Sequence, residues 1–376
     1  MYKEIIALGL MNQVGAVKIR KMIAYSGSIE KVFQYSFKEL CEIPGIGQQA
    51  AAEIRSFTDW PKVDEILKIS EDCGYQLLSI TDESFPKILA ELYDAPPILW
   101  YIGDVNLLSQ MNMAVVGTRR MSVYAAEQVR LFTQALVEQQ INVVSGLALG
   151  VDTLAHKVCV EKNGKTIAVL GSGFNKIYPA INKDLARKIV DSGGCLLSEY
   201  APLTKAEASH FPTRNRIVSG LSVGVLMVES GMKGGSMITA ARALDQNREV
   251  FAIPHQNGTI NGEGGNHLIK KSAAKLVQSP EDIFEEIGIQ TAAKNSTKEN
   301  QPSLFAQEPL WMVRDKQQPF NEQEKKILEQ CNGPQQSIDN LLENISMAYQ
   351  ELQHSLFELE LEGYLKQLPG AYYKSL

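Results

Sequence analysis

An α/β fold built on a Rossmann-like doubly wound parallel sheet is the architecture this sequence predicts, and three observations predict it. Between Met113 and Gly288, seven short apolar runs (MAVVG, INVVSG, TIAVLGSG, CLLSEY, SVGVLMVES, EVFAIP and KLV) read as strands. Helical segments fall between them, at Tyr124 to Gln139, Asp152 to Lys162, Lys183 to Asp191 and Gly235 to Asp245. Several of the runs end directly in glycine-rich turns. Strands buried on both faces and joined by helical crossovers specify a right-handed parallel sheet.

The rest of the chain divides around this domain, placed at residues 111–290. Residues 1–60 read as a small helical module of the SAM or helix-hairpin-helix type, with GLMNQVGAVKIRKMI and ELCEIPGIGQQAAAEIRSF as its two halves. In Pro44-Gly45-Ile46-Gly47 the glycines permit a tight turn whose amides can meet a phosphate. A plain helix-to-helix turn accounts for them equally well, and Gln48 and Gln49 stand where a nucleic-acid version often has a basic residue. Residues 61–110 read as a connector, with turn chemistry at Asp94-Ala95-Pro96-Pro97. Residues 291–319 lack periodicity and are rich in Gln, Pro, Lys and Asn, the texture of a linker. Residues 320–376 resume with helices at Glu322 to Gln330, Ser337 to Asn344 and Ala348 to Glu362, then a hairpin in YLKQLPGAYYKSL, which suggests a winged-helix-like module.

Composition narrows the function classes. The 376 residues carry 44% hydrophobic and 21% charged side chains, enough for a sizeable core. The start has no cleavage pattern and no run approaches the roughly 18 apolar residues of a membrane span, so a cytoplasmic protein with no membrane partner is expected. Five scattered cysteines and five histidines show neither C-x-x-C pairs nor ligand spacing, so neither a metal site nor a cofactor is expected. The net charge of −6 is unevenly spread: residues 112–290 hold 19 basic and 16 acidic residues, the remainder 18 and 27. Any anion-binding surface therefore belongs to the middle.

In an open parallel sheet, ligands bind beyond the carboxyl ends of the strands. The turns there are Gly117-Thr118-Arg119-Arg120, Ser145-Gly146-Leu147, Gly171-Ser172-Gly173 and Gly231-Met232-Lys233-Gly234-Gly235-Ser236. Glycine lets a phosphate approach the backbone, exposed amides and helix dipoles stabilise it, and hydroxyls and guanidinium groups complete its coordination. A further segment, His210 to Ile217, places Phe211 near Arg214, Asn215 and Arg216, residue types suited to a run of phosphates with unstacked bases, and Thr213 reads as a helix N-cap.

Here the chain resembles the bacterial DNA-processing protein A family, DprA or Smf. The resemblance is carried by VVGTRRMSVYA, VSGLALGVDTLAH, TIAVLGSGFNKIYPAINKDLA, LLSEYAP, HFPTRNRIVSGLS and KGGSMITAARAL, in order across the central domain. It implies a protein that coats single-stranded DNA and loads the RecA recombinase on it during natural transformation, without chemistry of its own. It implies phosphate contacts at Gly117, Thr118 and Arg119 and at Arg214 and Arg216, and base stacking on Phe211. Lys176 becomes a further basic candidate, and Leu268 and Ile269 become candidate contacts of a homodimer. One departure is Phe174-Asn175, where Leu-Asp is common in the family.

Competing readings fare worse. A nucleotide phosphoribohydrolase of similar fold needs a glutamate on the helix after its glycine pair, and Lys233 to Ala241 contains no acid. No complete G-x-G-x-x-G fingerprint or Walker loop is present. Asp152 and His156, spaced i, i+4, read as a capping aspartate and a helix-face histidine rather than an acid–base pair, and Glu199 and Glu229 are read as structural too. The carboxy-terminal module has nine acidic residues and four basic ones, a balance that phosphate repels, so protein contact is expected of it rather than duplex binding.

Overall fold

The computed structural model describes residues 2–289 and, in the carboxy-terminal part, 320–333, 336–345, 347–368 and 372–375. The expected linker at 291–319 lies outside the described residues. Two compact units emerge, divided between residues 290 and 291.

The first unit is organised by a nine-stranded sheet. Its strands are β1 (Gln76–Ser79), β2 (Ile98–Gly103), β3 (Asn112–Val116), β4 (Asn142–Ser145), β5 (Thr166–Leu170), β6 (Cys195–Ser198), β7 (Gly224–Met227), β8 (Glu249–Ala252) and β9 (Lys275–Leu276). They lie in the order β1-β2-β6-β5-β4-β3-β7-β8-β9. From β6 to β9 every pairing is parallel, as the seven apolar runs predict. Alternate residues face opposite layers: Met113 and Val115 pack under helices Val123–Glu138 and Val151–Glu161, while Ala114 and Val116 pack under helices His210–Gly220 and Gly235–Asp245.

Two expectations need correction. Residues 61–110 are no mere connector, because β1 and β2 extend the sheet in antiparallel pairings and helix Trp60–Asp72 precedes them. Nor is residue 60 a boundary, since Ile5, Leu40 and Ile54 of the amino-terminal helices share one core with Ile98, Trp100 and Leu196 of the sheet. The connector reading failed because ILWYIG follows directly on two prolines and pairs antiparallel, outside the strand–helix alternation that marks the later strands. In the Pro44 turn, Gly45 takes φ +87, a conformation that favours glycine, and a Cβ there would lie 2.8 Å from Lys21 Nζ.

The second unit holds helices Glu322–Cys331, Ile338–Asn344 and Tyr349–Leu361 and the strands β10 (Gln336–Ser337), β11 (Leu365–Leu368) and β12 (Tyr372–Ser375). The strands form a small antiparallel sheet in the order β10-β12-β11, the winged-helix arrangement expected. Ile327, Leu341, Leu352, Leu356 and Leu365 fill its core.

Candidate nucleic-acid interface

The strand order reverses between β3 and β7, so the loops that follow these two strands part on either side of a crevice. A cleft of about 610 Å³ opens there. The Gly117 to Arg120 turn forms one wall, and Ser230, Gly231 and Gly234 to Ser236 form the other. Helix His210–Gly220 closes the third side with Phe211, Arg214, Asn215 and Val218, residues spaced to share one helix face. Gly146, Ala148 and Asp152 make the floor.

Arg119 and Arg120 are exposed at the mouth. The Arg119 guanidinium lies 5.8 Å from the centroid of the Phe211 ring, within cation–π range. Phe211 is half-buried, with the Tyr178 ring centroid 5.6 Å from its own. A Cβ on Gly171 would come within 2.9 Å of the Phe211 ring, so glycine there lets the aromatic lie flat against the strand end.

Arg214 is buried, with only 4% of its surface exposed. Its Nη1 donates to Gly146 O at 2.7 Å and also to Val169 O, bracing the ends of β4 and β5, and its Nε donates to Asn215 Oδ1 at 3.2 Å. A Cβ on Gly146 would lie 2.4 Å from Arg214 Nη2, so glycine admits the guanidinium. Below it, Asp152 accepts from the amides of Gly146 at 3.1 Å and Ala148 at 3.3 Å. Burial raises the Asp152 pKa while the Arg214 charge opposes the shift; burial likewise lowers that of Arg214. Asp152 therefore closes the loop ahead of its helix. His156 is wholly buried, bonds Thr166 Oγ1 through Nδ1 at 2.8 Å, and has its pKa lowered to about 3 by burial and then by Arg214.

Other expected residues lie elsewhere. Arg216 sits on the opposite helix face, paired with Glu199 at 2.6 Å and Asp94 at 3.3 Å, and is buried. Gly171, Ser172 and Gly173 are buried beneath Phe211 and the segment after β6: Gly173 N donates to Thr204 O at 2.9 Å, and Ser198 Oγ to Ser172 O at 2.8 Å. The rim thus has three loops rather than four. Ser145 is buried with its hydroxyl on Val115 O at 2.7 Å, tying β4 to β3. Lys176 is exposed but does not line the cleft. Leu268 packs in the core while Ile269 is half-buried. Thr213 is no N-cap, because the helix begins at His210 and the Thr213 hydroxyl donates back to Ser209 O at 3.0 Å.

Three contributors were not singled out in the sequence. Tyr178 flanks Phe211, Ser230 accepts from the Ser236 hydroxyl at 2.8 Å, and Asn261 donates to Arg120 O at 3.3 Å, drawing a distant loop over the arginine turn. Tyr178 carried a signal, an aromatic beside proline just past a strand-end turn; Asn261 carried none, since its partner is 141 residues away.

The fold and cleft define an α/β protein with a mostly parallel sheet and a cationic crevice at its switch point. The chain belongs to the DprA family: residues 76–288 match the model for DNA recombination-mediator protein A, and residues 314–371 match that for the DprA winged helix domain. It is 35% identical over 330 residues to Protein Smf of Escherichia coli, covering 86% of this chain and 85% of that one. It is 40% identical over 236 residues to the DNA processing protein DprA of Bacillus subtilis, covering 62% and 78%. The solved DprA of Streptococcus pneumoniae superposes with a TM-score of 0.64 at 36% identity, over 75% of this chain and 95% of that one. DprA of Helicobacter pylori, solved in a study of its single-stranded DNA binding mode, gives 0.52 at 29% identity over 57% and 95%. Among the described residues no cluster of side chains fit to hold a metal occurs, and no helix is long and apolar enough to cross a membrane.

Proposed function

We propose that this chain, a member of a DNA-processing recombination-mediator family, grips single-stranded DNA in the cleft between β3 and β7 and loads RecA on it during natural transformation. The observation that carries the reading is the juxtaposition of exposed Arg119 with the Phe211 ring at the mouth of a glycine-walled cleft. A cation for phosphate beside a ring for a base suits an unpaired strand of any sequence. The glycine walls and the amino end of helix Gly235–Asp245 add amide donors.

Binding without chemistry accords with the acid content of the cleft. Its one carboxylate, Asp152, is engaged by two backbone amides beneath Arg214. We further propose action in the cytoplasm as a homodimer. Ile269 lines the same surface hollow as Leu244, next to β9 at the sheet edge, which suits it to such a contact better than buried Leu268. Helix Tyr349–Leu361 carries Glu351, Glu358 and Glu360 and no Lys or Arg, which favours a protein partner over duplex DNA for that module.

The test is equilibrium titration of the full chain with single-stranded and duplex oligonucleotides at moderate salt, with and without nucleoside monophosphates. Tight binding of the single strand, independent of nucleotide, together with a shorter lag in RecA's strand-dependent ATP hydrolysis, is the expected result. Equal affinity for duplex overturns the strand preference, and release of free base from a monophosphate overturns binding without chemistry.

A further inference from the structure

Beside the cleft, between helices Val151–Glu161 and Lys183–Asp191, runs a groove of about 600 Å³, nearly the volume of the cleft itself. Leu149 and Leu185 line it with apolar surface, and Ile181 stands at its lip 78% exposed. An aliphatic side chain that far into water contributes nothing to the core, and here it lines the groove together with exposed Leu149. Exposed Lys157 and Lys188 rise from the two helices. Of the two acids in the lining, Glu161 is held by Arg130 at 3.7 Å, which leaves Asp184 to offset two lysines.

The groove and the cleft are bridged by shared lining residues. A small hollow beneath Tyr178 and Pro179 shares Arg119, Gly146 and Phe211 with the cleft and Leu149 with the groove. A ligand leaving the cleft past Phe211 thus meets apolar side chains first and then cations on both sides. That alternation matches one polymer in particular, an unpaired strand whose bases need apolar platforms and whose phosphates need cations.

We propose that a single DNA strand leaving the cleft continues into this groove, with bases laid on Leu149 and Ile181 and phosphates at Lys157 and Lys188. The inference rests on the reading of the cleft as a strand-binding site and extends it to a second segment of the same strand.

Strand length separates the two. Single OB-sized sites take about 4 to 16 nucleotides, so oligothymidylates of about 5 and about 20 nucleotides report the cleft alone and the cleft plus groove. In the full chain, Lys157→Gln with Lys188→Gln leaves the short-strand affinity unchanged and lowers the long-strand affinity several-fold. It also reduces the log-log salt slope for the long strand by up to about 1.4, roughly 0.7 per phosphate contact. Ile181→Ala lowers long-strand affinity alone with an unchanged slope, and its exposed position spares the fold. Unchanged long-strand affinity and slope in both variants overturn the groove, and so does an equal loss on the short strand. Failure of the parent to bind either length overturns the cleft reading instead.

Discussion

Arg119 and Arg214 face one cleft, follow strands of one sheet and sit beside the same phenylalanine, yet their circumstances are opposite. Arg119 stands in water at the end of a turn, free to meet an anion. Arg214 lies buried in the third side, spending donors on the carbonyls of Gly146 and Val169 near the buried side chain of Asp152. The difference teaches that a cation beside a ligand site can build the site without being the group that grips. Burial decides, because a guanidinium out of water must satisfy its donors on the protein, whereas an exposed one exchanges water for phosphate at little cost.

The largest effect should come from the buried member. Arg214→Ala removes the buried charge that opposes the rise in the Asp152 pKa and leaves two strand-end carbonyls without donors, and each lost hydrogen bond to a charged donor costs about 1.5 to 3 kcal/mol. Denaturant unfolding of the first unit should register a loss of that order. A variant as stable as the parent would put Arg214 with Arg119, among the gripping residues.

A second test reaches the same buried layer through pH. The His156 pKa is about 3 in the folded chain against an ordinary 6.5, so the unfolded chain binds the extra proton first. Stability from this group is complete above about 6.5 and declines as pH falls toward about 3, by a few kcal/mol at most. Replacing His156 with a residue that does not titrate should flatten the unfolding free energy over that window, whatever its effect at neutral pH. An unaltered slope there would mean that His156 is open to solvent in the native state.

Much of this contrast was legible in the sequence and part of it was not. Glycines directly after apolar runs announce a parallel sheet and its ligand edge, since both follow from local pattern. Reading the R-N-R run as two phosphate contacts overlooked that residues two apart on a helix point to nearly opposite sides, so the run cannot turn both arginines to one cleft. What lies across from each could not be read. Glu199 and Asp94, which hold Arg216, come from separate loops, and the chain after β6 that buries Gly171 to Gly173 has no periodic signature. Strand β2 was hidden for a related reason, since it pairs antiparallel with β1 and β6, outside the strand–helix alternation.

The smallest structural effect, and the sharpest functional one, belongs to the exposed member. Arg119 makes no ion pair among the described residues, and its contact with Phe211 is a cation–π approach at 5.8 Å, worth about 0.5 to 1 kcal/mol at an exposed site. Arg119→Ala should therefore leave the unfolding midpoint within a small margin of the parent. Its single-strand affinity should fall for every sequence alike, and the log-log salt slope should drop by up to about 0.7, the share of one lost phosphate contact on a single strand. A fall in affinity with an unchanged slope would assign Arg119 to bracing Phe211 rather than to phosphate, because stacking is insensitive to salt while counterion release is not.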